Sequence, residues 1–282
     1  MLIREAVTIG ETLLVQAHVP DAGHDARRLL AHVLQTDPLS LYLHALEPIP
    51  TDLQDAYFSV VKKRAERIPL QYLEGETVFM GLPFLVSSAV LIPRPDTETL
   101  CDEAIRLARP FESILDIGTG SGALAIAMKH IRPDLRITAI DISVEALEIA
   151  RKNAIKNGTP IEFLLGDCYE PVAGRRFHMI VSNPPYIKEK EMETLSPEVK
   201  NEPELALRGG IDGLKFYRKL IGNARNHLFS DGRILFEIGW KQKEVVSEML
   251  RKEIGIPFLK QDIAGNWRVV GASWERRRKD ES

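Results

Sequence analysis

Hydrophobic positions in the first part of the chain recur with a helical period. Apolar side chains lie three or four residues apart over residues 26–34 and again over residues 51–68, where Pro69 ends the pattern. Thr8 followed by Glu11 matches a capping box, which predicts the start of a further helix at that point. We therefore expect a small helical domain over residues 1–75.

Short β-rich runs replace this period after residue 75. The segments TVFMG and LPFLVSS meet near Gly81, and together they predict a β-hairpin linker over residues 76–90. The segment PRPDTE at residues 93–98 suits the beginning of a helix, because proline and aspartate are favoured in a first helical turn. We expect the second domain to cover residues 91–282.

Within residues 91–282 the strand and helix patterns alternate. Strands are predicted at residues 112–118, 135–141, 161–167, 177–183 and 232–239, with two more around a turn at Gly265-Asn266. Helices are predicted at residues 122–130, 144–158, 214–228 and 241–252, and a long polar connection occupies residues 187–213. Such alternation is typical of an α/β domain whose mostly parallel sheet is covered by helices on both faces.

The composition is that of a globular chain of 282 residues. No apolar run approaches the roughly 20 residues that span a bilayer, and the N-terminus does not resemble a signal peptide, so we expect a cytoplasmic protein. The two cysteines and seven histidines show no metal-ligand spacing, and no metal site is predicted. A net charge of −3, with dense basic clusters only at residues 62–64 and 276–278, disfavours nucleic acid as a partner.

A glycine-rich turn follows the first predicted strand of the second domain. It reads Asp116-Ile117-Gly118-Thr119-Gly120-Ser121-Gly122, and its glycines let the backbone turn sharply and lie against a ligand. We predict that Asp116 and residues 118–122 bind a nucleotide-type cofactor. Gly118, Gly120 and Ala123 also satisfy the relaxed fingerprint of dinucleotide-binding folds, so at this point a nicotinamide or flavin cofactor stays open.

Acidic residues close the next two predicted strands. Asp141 comes 25 residues after Asp116, near the spacing of about 20 at which a carboxylate accepts ribose hydroxyls. We include the following residue, Ile142, in the predicted cofactor site. Asp167 closes the third strand, where an adenine amino group could be held, although aspartate at a strand end is also a common turn former.

The tetrapeptide Asn183-Pro184-Pro185-Tyr186 follows the fourth predicted strand. On its own, Asn-Pro is an ordinary loop sequence that ends a strand. Here it leaves a parallel sheet whose first loop is glycine-rich, so it falls at the carboxyl edge, where ligands of doubly wound folds bind. A dehydrogenase has no use for it. The combination therefore favours an S-adenosylmethionine-dependent methyltransferase.

The residue types in this tetrapeptide suit methylation of a planar amino nitrogen. The Asn183 side-chain oxygen and the Pro184 carbonyl oxygen would accept its two hydrogens and aim its lone pair at the methyl group, which also puts Asn183 beside the cofactor. The prolines stiffen the loop, so these acceptors are preorganised. Tyr186 would stack on the planar amide or stand beside the cationic methyl group.

The segments PRPDTE, DIGTGSG, VSNPPYI, EPELAL and GGIDGL, with Asp141, together resemble the HemK (PrmC) family of glutamine methyltransferases over almost the whole chain. NPPY alone is shared with amino methyltransferases of DNA and RNA, whereas PRPDTE with EPELALRGGIDG is more specific. The resemblance implies a Rossmann-like sheet of seven strands with the last one antiparallel. It also implies S-adenosylmethionine as cofactor, and class 1 peptide chain release factors, methylated on the glutamine of their GGQ motif, as substrates.

The same resemblance implies roles for particular residues. Residues 118–122 and Asp141 would hold the cofactor, and residues 183–186 would clamp the substrate amide. Cys168 falls where the family lines the adenine pocket, often with a larger aromatic side chain. The connection over residues 187–213 fits a substrate-side flap. Within it, we assign no contacts to residues 202–204.

Three other functions compete with this one. A methyltransferase for a glutamine of a large-subunit ribosomal protein would share most of the motifs. A DNA or RNA amino methyltransferase must extract a base and hold a phosphate backbone, for which the sequence shows neither a basic groove nor a target-recognition domain. A cofactor-binding scaffold without activity would not need the clamp at Asn183.

Because every cofactor motif lies after residue 110, we expect the helical domain to recognise the substrate protein.

Overall fold

In the computed structural model, which describes residues 1–274, the chain divides into two compact units. The first unit contains Met1–Glu76 together with Ser196–Asn201. Its helices up to residue 76 are α1 (Ile3–Gln16), α2 (Ala22–Val33), α3 (Ser40–Leu43), α4 (Thr51–Ala65) and α5 (Leu70–Glu74). The short helices α3 and α5 have no counterpart in the sequence pattern. The predicted boundaries between helical domain, hairpin linker and second domain, at residues 75 and 90, stay a prediction. The predicted basic cluster at residues 276–278 lies outside the described residues.

Helix α1 begins six residues earlier than the sequence motif predicted, with Leu2 instead of Thr8 at the N-cap position. The Leu2 backbone N–H donates to the Glu5 carboxylate at 2.9 Å, which caps the helix there. Thr8 lies inside the helix, and its hydroxyl donates to the Arg4 carbonyl at 2.9 Å. The capping box at Thr8 was therefore wrong. The buried face of α1 already includes Ile3, so packing extends the helix upstream of the local motif.

The core of the first unit is formed where α1, α2 and α4 meet. Tyr57 of α4 is fully buried, and its hydroxyl donates to the Ala26 carbonyl at 3.2 Å. A Cβ on Gly10 would lie only 2.0 Å from that hydroxyl, so only glycine lets α1 approach α4 this closely. Leu14, Leu29 and other apolar side chains fill the remaining space.

A buried ion-pair network also belongs to the first unit. Arg64 Nε donates to Asp25 Oδ2 at 2.8 Å, and both side chains are more than nine-tenths buried. Arg64 Nη2 lies 3.0 Å from Glu198 Oε1, and Arg67 Nε lies 2.6 Å from the same oxygen. Glu198 thus ties Ser196–Asn201 to the helices of this unit.

The second unit is an α/β domain, as predicted. Its sheet has seven strands, which are β3 (Ser113–Ile117), β4 (Arg136–Asp141), β5 (Glu162–Leu165), β6 (Phe177–Ser182), β7 (Leu228–Glu237), β8 (Pro257–Gln261) and β9 (Trp267–Ser273). Their order in the sheet is β5-β4-β3-β6-β7-β9-β8. The first five pair in parallel, while β9 pairs antiparallel with both β7 and β8. The antiparallel last strand implied by the family resemblance is confirmed.

Helices cover both faces of this sheet. The longer ones are α6 (Pro95–Leu107), α7 (Ala123–Ile131), α8 (Val144–Lys156), α12 (Lys215–His227) and α13 (Lys243–Glu253). The connection over residues 187–213 contains three short ones, α9 (Glu189–Met192), α10 (Pro197–Lys200) and α11 (Glu204–Leu207). The predicted hairpin is present as β1 (Glu76–Phe79) and β2 (Leu82–Leu85). Within residues 1–274, no helix combines the length and apolar character needed to cross a membrane.

The core lies on both sides of the sheet because successive residues of a strand point to opposite faces. Ile114 of β3 packs with the side chains of α6 and α7, whereas its neighbour Leu115 packs with those of α12 and α13. Both side chains are fully buried. The strands β3 to β7 run in parallel, so Ile117, Asp141 and Ser182 all come to the same edge of the sheet.

We predict that Arg64→Met lowers the free energy of unfolding of the helical unit by about 3 kcal/mol, because the buried Asp25 carboxylate would lose its arginine and keep only the exposed His24 as a partner. Urea denaturation followed by circular dichroism measures this loss. The matched control is Arg109→Met, whose ion pair with Asp231 has both side chains more than half exposed and should contribute less than about 1 kcal/mol. Equal losses in the two variants would contradict the account of the network.

Candidate functional site

A cavity of about 370 Å³ opens at the carboxyl edge of the sheet. The residues at the ends of β3 to β6 line it, together with residues 89–91, Pro203, Leu205 and Ala206, and Phe216 and Leu220 of α12. It brings together nine residues that the sequence predicted for the site: Gly118, Gly120, Asp141, Ile142, Asp167, Cys168, Asn183, Pro184 and Pro185. The lining is mostly apolar with a few polar groups, which is typical of a cofactor pocket.

The glycine-rich turn forms one end of the cavity. The backbone N–H groups of Gly118 and Thr119 both donate to the Ile140 carbonyl, at 2.9 and 3.0 Å. Gly118, Gly120 and Gly122 have φ of +74°, +55° and +81°, which side chains rarely tolerate. A Cβ on Gly118 or Gly120 would meet no protein atom within 4 Å and would stand in the space of the cavity.

Gly122 is required for helix packing and does not line the cavity. A Cβ there would lie 2.8 Å from Ile126 Cδ1 and 3.2 Å from Ala150 Cβ, so this glycine allows α7 and α8 to pack closely. Thr119 and Ser121 are buried and do not line the cavity. Asp116 is buried beneath the turn, where it accepts the Thr119 hydroxyl at 2.6 Å. Burial raises the pKa of Asp116 to about 7. Cofactor contacts for these four residues stay a prediction.

Asp141 is well placed to hold two hydroxyl groups. Its Oδ2 accepts the Gly120 N–H at 2.8 Å, and its Oδ1 accepts the Ser143 N–H at 3.0 Å. A carboxylate has about four lone-pair sites, so acceptor capacity remains toward the cavity. Burial raises the pKa of this carboxyl, and the two backbone donors oppose that rise. The side chain is thus fixed to the glycine-rich turn and still open to a ligand.

Asp167 and Cys168 line another part of the wall. Asp167 Oδ2 lies 2.5 Å from Lys219 Nζ, and this hydrogen bond lowers the pKa of Asp167. The neighbouring Cys168 side chain also hydrogen-bonds to this carboxylate and lowers its pKa further. Cys168 is buried with φ of +55°, and burial raises the pKa of its thiol to about 12. It is therefore a neutral, packed side chain at neutral pH.

Asn183 stands where β6 leaves the sheet. The preceding Ser182 hydroxyl donates to the Ile117 carbonyl at 2.6 Å and so joins the ends of β3 and β6. The Asn183 side-chain amide donates through Nδ2 to Thr97 Oγ1 at 3.2 Å. Thr97 in turn donates to Glu237 Oε2 at 2.6 Å. Asn183 lines the cavity beside Pro184, and because Nδ2 is engaged by Thr97, Oδ1 is the end of the side-chain amide that is left to accept a hydrogen bond.

Tyr186 does not line this cavity. It lines a neighbouring groove of about 700 Å³ together with Trp240, Lys188 and Ile211. Its hydroxyl lies 3.4 Å from Glu237 Oε1, and burial raises the pKa of the phenol. The predicted stacking of Tyr186 on the substrate amide stays a prediction.

Sequence reasoning missed three residues that shape the site. Thr97 and Glu237 are buried and hydrogen-bonded behind Asn183. Glu202, to which the sequence assigned no contact, is also buried; it accepts the Ile92 N–H at 3.1 Å and pairs with Arg94. Glu202 thereby fixes one end of the connection next to residues 89–91 of the cavity wall. A usable signal existed for Glu237, which is an acidic residue in the apolar run ILFEIG.

The next feature is the arrangement of the side chains that could bind a metal ion. Within residues 1–274, no group of three or more His, Cys, Asp or Glu side chains is arranged to hold a metal ion. The polar groups that line the cavity are carboxylates, hydroxyls, backbone groups and the Asn183 side-chain amide, within a mostly apolar lining.

Comparison with known proteins places the chain among methyltransferases. The model of the PrmC N-terminal domain matches residues 5–75, and that of the methyltransferase small domain matches residues 98–202. The release factor glutamine methyltransferase of Geobacter sulfurreducens is 38% identical, with 95% of each chain covered. That of Deinococcus radiodurans is 36% identical, with 96% of this chain and 98% of the relative covered.

Among solved structures, a methyltransferase from Pyrococcus furiosus matches with a TM-score of 0.54. It is 22% identical to this chain, and the match covers 70% of this chain and 90% of the other. At that identity the likeness concerns the fold alone. It agrees with the α/β architecture of the second unit.

We predict that Gly120→Ala weakens binding of S-adenosylhomocysteine about tenfold or more, because the added methyl group would stand in the cavity. Calorimetric titration measures the dissociation constant. Gly158→Ala is the matched control: Gly158 has φ of +63°, a Cβ there meets nothing within 4 Å, and the residue does not line the cavity. Both variants carry similar backbone strain. Unchanged affinity in a folded Gly120→Ala protein would contradict this assignment of the cavity.

Proposed function

The chain belongs to the release factor glutamine methyltransferase family, and on this premise we propose that it methylates the side-chain amide nitrogen of the glutamine in the GGQ motif of class 1 peptide chain release factors. The methyl donor is S-adenosylmethionine. The observation that carries the proposal is the orientation of Asn183, whose Nδ2 is engaged by Thr97 and whose Oδ1 remains an acceptor at the cavity.

The cavity suits the proposed donor. Its glycine floor leaves room for a ligand against the main chain, and Asp141 has acceptor capacity for two ribose hydroxyls. Asp167 and Cys168 form the wall at which an adenine ring would lie. When bound, S-adenosylmethionine supplies a methyl group on a cationic sulfur, and the chain's own residues have to bring a nitrogen to it.

An amide nitrogen is a poor nucleophile because its lone pair is delocalised into the carbonyl group. Asn183 Oδ1 and the Pro184 carbonyl oxygen accept its two hydrogens, which draws electron density toward the nitrogen and points the lone pair at the methyl group. Pro184 and Pro185 hold these acceptors in place before the substrate arrives. The nitrogen would gain the methyl group as the carbon–sulfur bond of the donor breaks and the electron pair of that bond stays on sulfur, which leaves S-adenosylhomocysteine. The methylated nitrogen then releases one proton to water, so the chain needs no strong base.

The helical unit would recognise the rest of the release factor. It contains none of the residues of the cavity. It does expose apolar side chains around α3, where Leu39, Tyr42, Leu43 and Leu46 are between 61 and 84% exposed. Exposed apolar side chains grouped in this way are a mark of protein–protein contact.

The function is tested by offering labelled S-adenosylmethionine together with a class 1 release factor, a ribosomal protein fraction, or DNA and RNA. We expect label on the GGQ glutamine of the release factor, located by mass spectrometry of its peptides. Label on ribosomal protein or nucleic acid, with none on the release factor, would overturn it. In a parallel titration, S-adenosylhomocysteine should give heat of binding and NAD should give none.

We predict that Asn183→Ala lowers the single-turnover rate by tenfold to 100-fold. Loss of the acceptor leaves a substrate N–H unpaired, at a cost of about 1–3 kcal/mol, and the nitrogen is no longer aimed at the methyl group. The affinity for S-adenosylhomocysteine should change far less, since residues 118–120 and Asp141 remain. A variant that binds S-adenosylhomocysteine normally and methylates at the wild-type rate would exclude the clamp.

We also predict that the double substitution Leu39→Ser and Leu43→Ser raises KM for the intact release factor about fivefold or more. Methylation of a short glutamine peptide should be unaffected, because the peptide does not reach these side chains. Steady-state kinetics on both substrates makes the comparison. Ile155→Ser, which changes a side chain 82% exposed on α8, is the matched control. Equal effects on protein and peptide would count against recognition by this surface.

A further inference from the structure

We infer that Thr97 is a positioning residue for methyl transfer, which fixes the side-chain amide of Asn183 in the orientation that leaves Oδ1 free for the substrate. The inference rests on the proposed function. Thr97 does not line the cavity, so it acts through Asn183 and not by touching the substrate. It belongs to the first turn of α6 and is 6% exposed.

The direction of the hydrogen bonds carries the inference. A carboxylate can only accept, so the 2.6 Å contact between Thr97 Oγ1 and Glu237 Oε2 uses the single hydrogen of the hydroxyl. The hydroxyl then has only lone pairs to offer to Asn183. A side-chain amide can meet a lone pair only with its nitrogen, and this is the observed contact at 3.2 Å. The carboxylate of Glu237 therefore determines, through Thr97, which end of the Asn183 amide faces the cavity.

Thr97 and Glu237 stand on two separate elements, and Asn183 directly follows a third. Thr97 is on α6, Glu237 is the last residue of β7, and Asn183 follows β6. Glu237 is 2% exposed, so no bulk water competes for its oxygens. The side-chain amide of Asn183 can rotate, and its hydrogen bond to Thr97 fixes it. Because the fold determines the positions of Thr97 and Glu237, this orientation exists before the substrate binds, as preorganised catalysis requires.

Other polar groups around Glu237 leave this arrangement intact. Tyr186 places its hydroxyl 3.4 Å from Glu237 Oε1, and Tyr217 of α12 donates to the Glu237 backbone carbonyl at 2.8 Å. Arg268 of β9 lies 2.9 Å from Asp96 of α6. The positive charge of Arg268 favours the ionised form of Glu237, and the negative charge of Asp96 disfavours it. Burial is the larger effect and raises the pKa of Glu237 to about 7.

Protonation of Glu237 would reverse the chain of hydrogen bonds. A protonated carboxyl can donate to Thr97, and the threonine hydrogen would then turn to Asn183 Oδ1 and occupy the acceptor that the substrate needs. The raised pKa means that the carboxylate form is lost as the pH falls through about 7. Turnover should therefore rise with pH across this range and level off above it.

The test uses the full chain with Thr97→Val, Thr97→Ser, Thr138→Val and Glu237→Gln. Valine has nearly the shape of threonine without the hydroxyl, and serine keeps the hydroxyl. Thr138 is the matched control, since it is also buried and its hydroxyl donates to Glu162 at 2.7 Å, yet it does not line the cavity. For each variant, kcat, the dissociation constant of S-adenosylhomocysteine and the melting temperature are measured with a release factor as substrate.

Thr97→Val is expected to lower kcat about tenfold or more while the affinity for S-adenosylhomocysteine stays within about twofold. Thr97→Ser should keep at least about a third of the wild-type kcat. Thr138→Val should keep the wild-type kcat with a similar loss in melting temperature. Glu237→Gln should lose the rise in kcat between about pH 6 and 8, because a neutral amide does not titrate.

Three outcomes would overturn the inference. Thr97→Val could keep the wild-type kcat, Thr97→Ser could fall as far as Thr97→Val, or Thr138→Val could lose as much activity as Thr97→Val. In each of these cases an active wild-type enzyme leaves the proposed function standing. A wild-type protein that does not methylate the release factor would instead remove the proposed function and this inference together.

Discussion

The position of β3 in the middle of the parallel sheet is the constraint on which the rest of the second unit depends. This strand pairs with β4 on one side and β6 on the other. Its side chains Ile114 and Leu115 point to opposite faces of the sheet, and both are fully buried. The backbone can leave such a strand only at its ends. At the carboxyl end it leaves through a turn with positive φ at Gly118, Gly120 and Gly122, and the parallel neighbours end at the same edge. A ligand cavity at this edge is a consequence of the topology.

A few polar groups are buried inside this apolar framework, and removing them from water costs free energy of folding. A carboxyl such as Glu237 is expensive to bury unless it is hydrogen-bonded. Thr97 compensates part of that cost, and the same contact orients Asn183 at the cavity. Asp116 is a second buried carboxyl, held by Thr119 beneath the glycine-rich turn. Both groups lie behind the wall of the cavity, where they determine the geometry of residues that can touch a ligand.

Much of the fold could be predicted from local patterns. Alternation of strand and helix gave the parallel sheet, and the glycines, Asp141 and Asn183 were correctly expected at one edge, because parallel strands end together. The capping box at Thr8 failed because a local motif says nothing about how far the buried face of a helix extends. The short helices α3 and α5 are too short to show a period.

The buried partners of the site were harder to predict. Thr97 and Glu237 are separated by 140 positions in the chain, and only the packing of α6 beside β7 brings them together. Glu202 meets the Ile92 backbone over 110 positions. A sequence shows that such residues are polar, but their burial and their partners depend on tertiary contacts. Asn183 could be identified because it interrupts a strand pattern at a predictable edge.

The most direct test of the central claim is a crystal structure of the protein with S-adenosylhomocysteine and a peptide that contains the GGQ sequence. We expect the glutamine side-chain nitrogen to lie within about 3.2 Å of both Asn183 Oδ1 and the Pro184 carbonyl oxygen. The sulfur should lie on the other side of that nitrogen, in the cavity over Gly118 and Gly120. A glutamine seated in the groove beyond Tyr186, with its nitrogen away from Asn183, would contradict the account.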